Sequence, residues 1–150
     1  MSQKGSPESV HEWFKKARPL PDQDTLMVQT GCHFEEIGEM LDEMVGQCPT
    51  SIRLLRHLKL SVHQFAHFLK HDHIKFMVKN DEAFLDSLAD QYVTGVGIGQ
   101  ALHYDIPGAY AEVDRSNWSK FDEDGNPVFH ANGKIAKSPG YSPPDLKKFV

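Results

Sequence analysis

The sequence is poor in the features that mark several large protein classes. It has only 2 cysteines in 150 residues, Cys32 and Cys48, so at most one disulfide can form. Two reduced thiols in a cytoplasmic protein are the simpler expectation. No apolar run approaches the roughly 20 residues that span a bilayer. The opening stretch MSQKGSPESVHEW lacks the apolar core of an export signal. Basic residues are outnumbered, 16 against 21 acidic, for a formal net charge of −5. That balance argues against a nucleic-acid polymer as partner, because phosphate neutralisation needs clustered Lys and Arg. What remains is 39% hydrophobic and 25% charged residues, the composition of a soluble single domain able to bury a core.

Residues 1–7 are polar, contain Gly5 and Pro7, and are expected to form a mobile tail. Apolar spacing predicts a helix from Glu8 to Ala17, stopped by Pro19 and Pro21. A second helix is expected from Asp24 or Thr25 to near Gly46. A third, capped by Thr50 or Ser51, reaches His73 or Met77. Asn80 or Asp81 opens a fourth that runs to Leu102, and Asp105 and Pro107 open a fifth that ends near Lys120. The stretch 122–150 is rich in Gly and Pro. Two turn signals, at 123–126 and 131–134, bracket Val128-Phe129-His130 and predict a short hairpin. The expected architecture is all-α: a bundle of about five helices over 8–121, followed by an irregular C-terminal arm over 122–150.

Acidic residues recur at helical spacing. Glu36 and Glu39 stand at i, i+3 on the second helix, with Glu35 beside them, and Asp86 and Asp90 stand at i, i+4 on the fourth. A solvated acidic face accounts for the first group, and Asp42 and Glu43 extend it. The second group borders an apolar run through Ile98, which predicts a largely buried helix whose carboxylates need cations or donors. Carboxylate pairs of this kind can hold a hard divalent cation such as Mg²⁺ or Mn²⁺. Gly95, Gly97 and Gly99 do not match a nucleotide-binding loop, and close helix packing is the simpler use. His63, His67 and His71 repeat every fourth residue: either a polar stripe or a transition-metal site, with His73 adjacent. Arg115, Ser119 and Lys120 lie within about a turn, followed by Lys134, Lys137 and Tyr141. Such cations either answer the helix dipole or bind phosphates.

The segments carrying Glu35-Glu36-x-x-Glu39 and Asp86-Ser-Leu-Ala-Asp90-Gln-Tyr-Val-Thr-Gly-Val-Gly resemble the MazG-like all-α nucleoside triphosphate pyrophosphohydrolases. The stretches Glu112-Val-Asp-Arg-Ser-Asn-Trp-Ser-Lys-Phe, Asn132-Gly-Lys-Ile-Ala-Lys and Tyr141-Ser-Pro-Pro-Asp-Leu resemble the phage-type branch of that family. The likeness covers about residues 8 to 148. One position departs: Ser87 stands where many members carry Glu, and Asp86 is the neighbour able to take its place.

The resemblance implies Mg²⁺-dependent hydrolysis of an NTP or dNTP to the monophosphate and pyrophosphate, by a cytoplasmic homodimer or homotetramer. It assigns the metal to Glu36, Glu39, Asp86 and Asp90, and activation of water to Glu35 or Glu36. It assigns phosphate contacts to Arg115, Lys120, Lys134 and Lys137, and nucleoside contacts to Asn117, Trp118 and Tyr141. The alternative is a non-catalytic helical module that binds a nucleotide or a partner, motivated by Ser87. A transition-metal protein using His63, His67 and His71 is a third.

Overall fold

In a computed structural model the chain is all-helical, and the structure describes residues 3–71 and 74–150. Five α-helices follow in order: α1 (Pro7–Ala17), α2 (Gln23–Asp42), α3 (Pro49–Lys70), α4 (Asp81–Ala101) and α5 (Ile106–Trp118). A single 3₁₀ turn, Lys147–Phe149, lies near the C-terminus. No β-sheet forms among the described residues, and among them no helix is long and apolar enough to cross a membrane.

Most helix starts follow from local chemistry. Asp22 caps α2 by accepting from the Thr25 backbone N–H at 2.8 Å. Asn80 caps α4 through the Ala83 N–H at 3.0 Å, and Asp105 caps α5 through that of Gly108 at 3.0 Å. α3 starts earlier than Thr50 or Ser51 as cap would allow. Pro49 occupies its first turn, which moves the cap to Cys48, whose Sγ accepts from the Ser51 N–H at 3.4 Å. In return the Ser51 hydroxyl accepts from the Cys48 N–H at 3.0 Å, closing a capping box. The far end of α3 comes at Lys70, short of the expected Met77; His73 lies outside the described residues.

The chain divides into two units. The first comprises Leu20–Phe76 and Phe129–Lys134, and is built on the α2–α3 pair. Burial of Met27, Val28 and Leu41 on α2, and of Val62, Ala66 and Leu69 on α3, holds it together. Each Met, Val or Leu among them contributes about 1.5–3 kcal/mol when fully buried. Phe34 and Phe65 meet edge-to-face, ring centroids 5.0 Å apart. Gly31 and Gly38 let the helices approach closely: a Cβ at Gly31 would lie 2.6 Å from Lys70 Cγ, and one at Gly38 would lie 2.7 Å from the His63 ring.

The second unit comprises Met1–Pro19, Met77–Val128 and Ile135–Val150. Its core gathers Trp13 and Ala17 of α1 with Phe121, and Trp118 and Ile135 pack on it. Gly5, in the stretch expected to be a mobile tail, donates its N–H to the buried Asp114 on α5 at 3.0 Å. Its φ of +78° and its closeness to the Ala111 backbone both demand glycine. The expected hairpin resolves into two tight turns. In this unit Phe121 and Pro127 form an isolated antiparallel bridge around Gly125, φ +77°. In the α2–α3 unit the His130 N–H donates to Lys134 O at 2.8 Å around Gly133, φ +80°.

α4 corrects an expectation. The apolar run after Asp90 predicts a buried helix, yet Gly99 is its only buried residue. Phe84, Leu85, Leu88, Tyr92, Val93 and Ile98 are all exposed. The helix meets α5 only near its C-terminal half, where Gly99 lies against Ile106, and the Tyr92 and Tyr110 rings stand 5.8 Å apart. Its apolarity therefore does not serve the core of its own chain.

Candidate functional site

A cluster of opposite charges lies in the α2–α3 unit around Glu35. Lys70, the last residue of α3, donates to Glu35 Oε1. Lys134, from the turn at 129–134, donates to Oε2 at 2.6 Å. Both carboxylate oxygens are thus held by ammonium groups, 35 and 99 residues away along the chain. Gly31, one turn before Glu35, makes room for the Lys70 stem. Lys70 is 13% exposed, Glu35 24% and Lys134 40%, so the cluster opens toward solvent on the Lys134 side.

Partial burial alone raises the Glu35 pKa, but the hydrogen bonds from Lys134 and Lys70 outweigh it and hold the carboxyl below its usual range. The same burial disfavours the Lys134 cation. The hydrogen bond to Glu35 and the negative charge of Glu35 and Glu36 overcome that and raise its pKa. Cys32 responds in the opposite sense to a reactive thiol: burial pushes its pKa up, keeping it protonated. It is a free thiol, as is the exposed Cys48.

Glu36 and Glu39 continue from this cluster along α2, and both are exposed. Asp86 and Asp90 are exposed on α4, in the other unit. Ser87, between them, turns its hydroxyl back to Ala83 O at 2.9 Å. Among the described residues no group of three or more His, Cys, Asp or Glu side chains is gathered closely enough to hold a metal ion. His63 Nε2 lies 2.8 Å from Asp42 Oδ2, and the His67 and His71 rings, tilted by 40°, have centroids 4.5 Å apart.

The residues assigned to substrate in the second unit have other engagements. Arg115 clasps Glu112 through Nε and Nη2, at 2.9 and 2.8 Å, and donates to Pro143 O at 3.0 Å. Asn117 accepts the Trp13 indole N–H at its backbone oxygen, 2.9 Å away. Lys120 stands over the Trp13 ring at 5.9 Å, and Lys137 over the Tyr141 ring at 4.8 Å. Trp118 packs on the apolar core. Ser119 ties the arm down by accepting the Ser142 N–H at 2.9 Å. Thus Lys134 is an assigned cation that meets an assigned carboxylate, and its companion Lys70 was missed. Lys70 has no local motif; its only trace in the sequence is Gly31, small where a neighbouring helix must pass. No family model, curated protein or solved structure matches the chain.

Proposed function

We propose that this chain hydrolyses a nucleoside or deoxynucleoside triphosphate to the monophosphate and pyrophosphate, with Mg²⁺ as its metal and Mn²⁺ as a substitute. One observation carries the reading: two lysines from distant parts of the chain meet Glu35 immediately beside the carboxylates Glu36 and Glu39. Cations for phosphate therefore meet the helix that carries oxygen ligands for a hard metal.

Each candidate ligand suits the metal by its chemistry. Glu36, Glu39, Asp86 and Asp90 are all exposed and offer oxygen only, the preference of Mg²⁺ over Zn²⁺. The carboxylates of Glu39, Asp86 and Asp90 have no hydrogen-bond or ion-pair partner among the described residues. A bound Mg²⁺ would supply charge neutralisation for the phosphates and a lower pKa for water. Glu35 or Glu36 would accept the proton of that water. Lys134 faces the phosphates, where its charge stabilises the negative charge that develops as the anhydride bond breaks. The family resemblance further assigns Asn117, Lys120, Lys137 and Tyr141, all in the other unit, to substrate. Arg115 acts by holding the arm to α5 through Glu112 and Pro143.

The exposed apolar length of α4 supports a homo-oligomer, since an uncovered apolar face of this extent is characteristic of an interface. Nucleotide metabolism in the cytoplasm, of a bacterium or of a phage-infected cell, is the setting. The test is pyrophosphate release from each common NTP and dNTP with Mg²⁺ or Mn²⁺. Release from at least one, lost in Glu39→Gln with an unchanged melting curve, supports the reading. No release from any of them overturns it; tight nucleotide binding without turnover would instead favour the non-catalytic module.

A further inference from the structure

We propose that Lys70 and Lys134 form a single seat for a terminal phosphate of an oligophosphate, with Glu35 as the carboxylate that positions them. The seat rests on the nucleotide reading only for the identity of its natural ligand. An ammonium group has three N–H donors. Among the described residues Lys70 and Lys134 each use one, both on Glu35, so two donors on each remain open. The three side chains together carry one net positive charge. That charge is half-buried, where it is screened less than on the open surface. Glu35 holds the two ammonium groups close despite their mutual repulsion. A phosphate oxygen can therefore meet both without displacing the carboxylate. Glu36 repels an anion that strays toward α2, so a phosphate is favoured only when it engages both lysines or arrives with a cation.

The other lysines of this unit have partners other than Glu35. Lys59 caps the end of α2, donating to Asp42 O and Met44 O at 3.2 and 3.3 Å, and Lys75 stands 3.9 Å from Asp24. They serve as controls for non-specific attraction.

The experiment titrates the full chain with inorganic pyrophosphate by calorimetry in the presence of EDTA, where no metal-dependent turnover occurs. Wild type is expected to bind. Lys70→Met and Lys134→Met should each weaken binding at least tenfold, Lys70→Arg should retain most of it, and Lys59→Met and Lys75→Met should change it less than twofold. Orthophosphate and a nucleoside triphosphate, titrated in parallel, distinguish a general anion site from one for a phosphate chain: the triphosphate should compete with pyrophosphate, and orthophosphate should bind far more weakly. Glu35→Gln should lower the Lys134 side-chain pKa, read by ¹⁵N NMR of the ammonium group; an unchanged value removes Glu35 as the positioning group. Pyrophosphate affinity that survives both Lys70→Met and Lys134→Met, or that falls equally in Lys59→Met, overturns the seat. Lys134 lies in an exposed turn, so its variant decides the matter even if Lys70→Met fails to fold. Hydrolytic failure is separate: wild type that binds pyrophosphate but releases none from any nucleotide refutes the enzyme and leaves the seat standing.

Discussion

The Glu112 carboxylate takes both the Nε and the Nη2 of Arg115, at 2.9 and 2.8 Å, within one turn of α5. The same carboxylate accepts the backbone N–H of Asp145 at 3.0 Å, and the same guanidinium reaches Pro143 O. One i, i+3 pair thereby fastens the C-terminal arm to its helix at two points. A planar guanidinium fits a carboxylate through two parallel bonds, which a lysine at 115 would not reproduce.

That clasp makes the arm sensitive to acid. The bonds from Arg115 and the Asp145 N–H pull the Glu112 pKa from 4.5 to about 2. A depressed carboxyl contributes stability above its unfolded value and loses it as pH falls through the folded one. The arm should therefore stay fastened at pH 5 and above and loosen between about pH 4.5 and 2. Amide exchange at Asp145 reports it: protection should fall across that window in wild type and be low throughout in Glu112→Gln. Protection that is already lost at pH 6 in wild type contradicts the assignment.

Asp114 is the second acidic residue of α5 with a structural task. It is 2% exposed, and its Oδ2 accepts from the Ser9 hydroxyl at 2.6 Å and from the Gly5 N–H at 3.0 Å. Asp114→Ala would leave both donors without that acceptor, a cost of about 1–3 kcal/mol. The melting temperature should fall by several degrees. Asp114→Asn keeps an acceptor oxygen and should fall less. Equal melting temperatures for wild type and Asp114→Ala would show that the pairing contributes nothing.

Gly31 ties the fold of the α2–α3 unit to its chemistry. A methyl group there would lie 2.6 Å from Lys70 Cγ and 3.0 Å from Ala66 O. The lysine stem can move, but the α3 backbone at Ala66 can do so only by shifting the helix. Gly31→Ala should cost about 1–3 kcal/mol as overpacking. It should also weaken pyrophosphate binding, because Lys70 is displaced from Glu35. Wild-type stability together with wild-type affinity would mean that α3 tolerates the shift.

Helix positions were legible because their signals are local. Asp22, Asn80 and Asp105 are strong N-caps, and each stands at or within two residues of its expected boundary. Cys48 was missed as a cap because sulfur is an uncommon acceptor, and Pro49 rather than Thr50 fixes where α3 begins. The candidate site was legible only in part. Glu35, Glu36 and Glu39 announce themselves by spacing, whereas the meeting of Glu35 with Lys70 and Lys134 depends on contacts 35 and 99 residues apart. In sequence Arg115 reads as a phosphate or helix-dipole cation and its pairing with Glu112 was missed, and nothing local shows that the arm returns to Pro143 and Asp145. The α4 pattern was the most misleading. An apolar helix looks the same in sequence whether its own chain or another covers it.

α4 accordingly yields the prediction that bears on assembly. Leu85 is 68% exposed and Val93 63%, so neither supports the fold of the single chain. Contact with a second copy would remove both from water, and each fully buried aliphatic side chain is worth about 1.5–3 kcal/mol. The wild-type chain should sediment as a dimer or tetramer, with a melting temperature that rises with protein concentration. The double variant Leu85→Glu, Val93→Glu should keep its helix content, sediment as a monomer and melt at a temperature independent of concentration. Carboxylates introduced on an exposed helix are well hydrated, so loss of assembly without loss of helix separates an interface role from a folding role. A wild-type chain that remains monomeric at every concentration would contradict the assignment of α4 to an interface between copies.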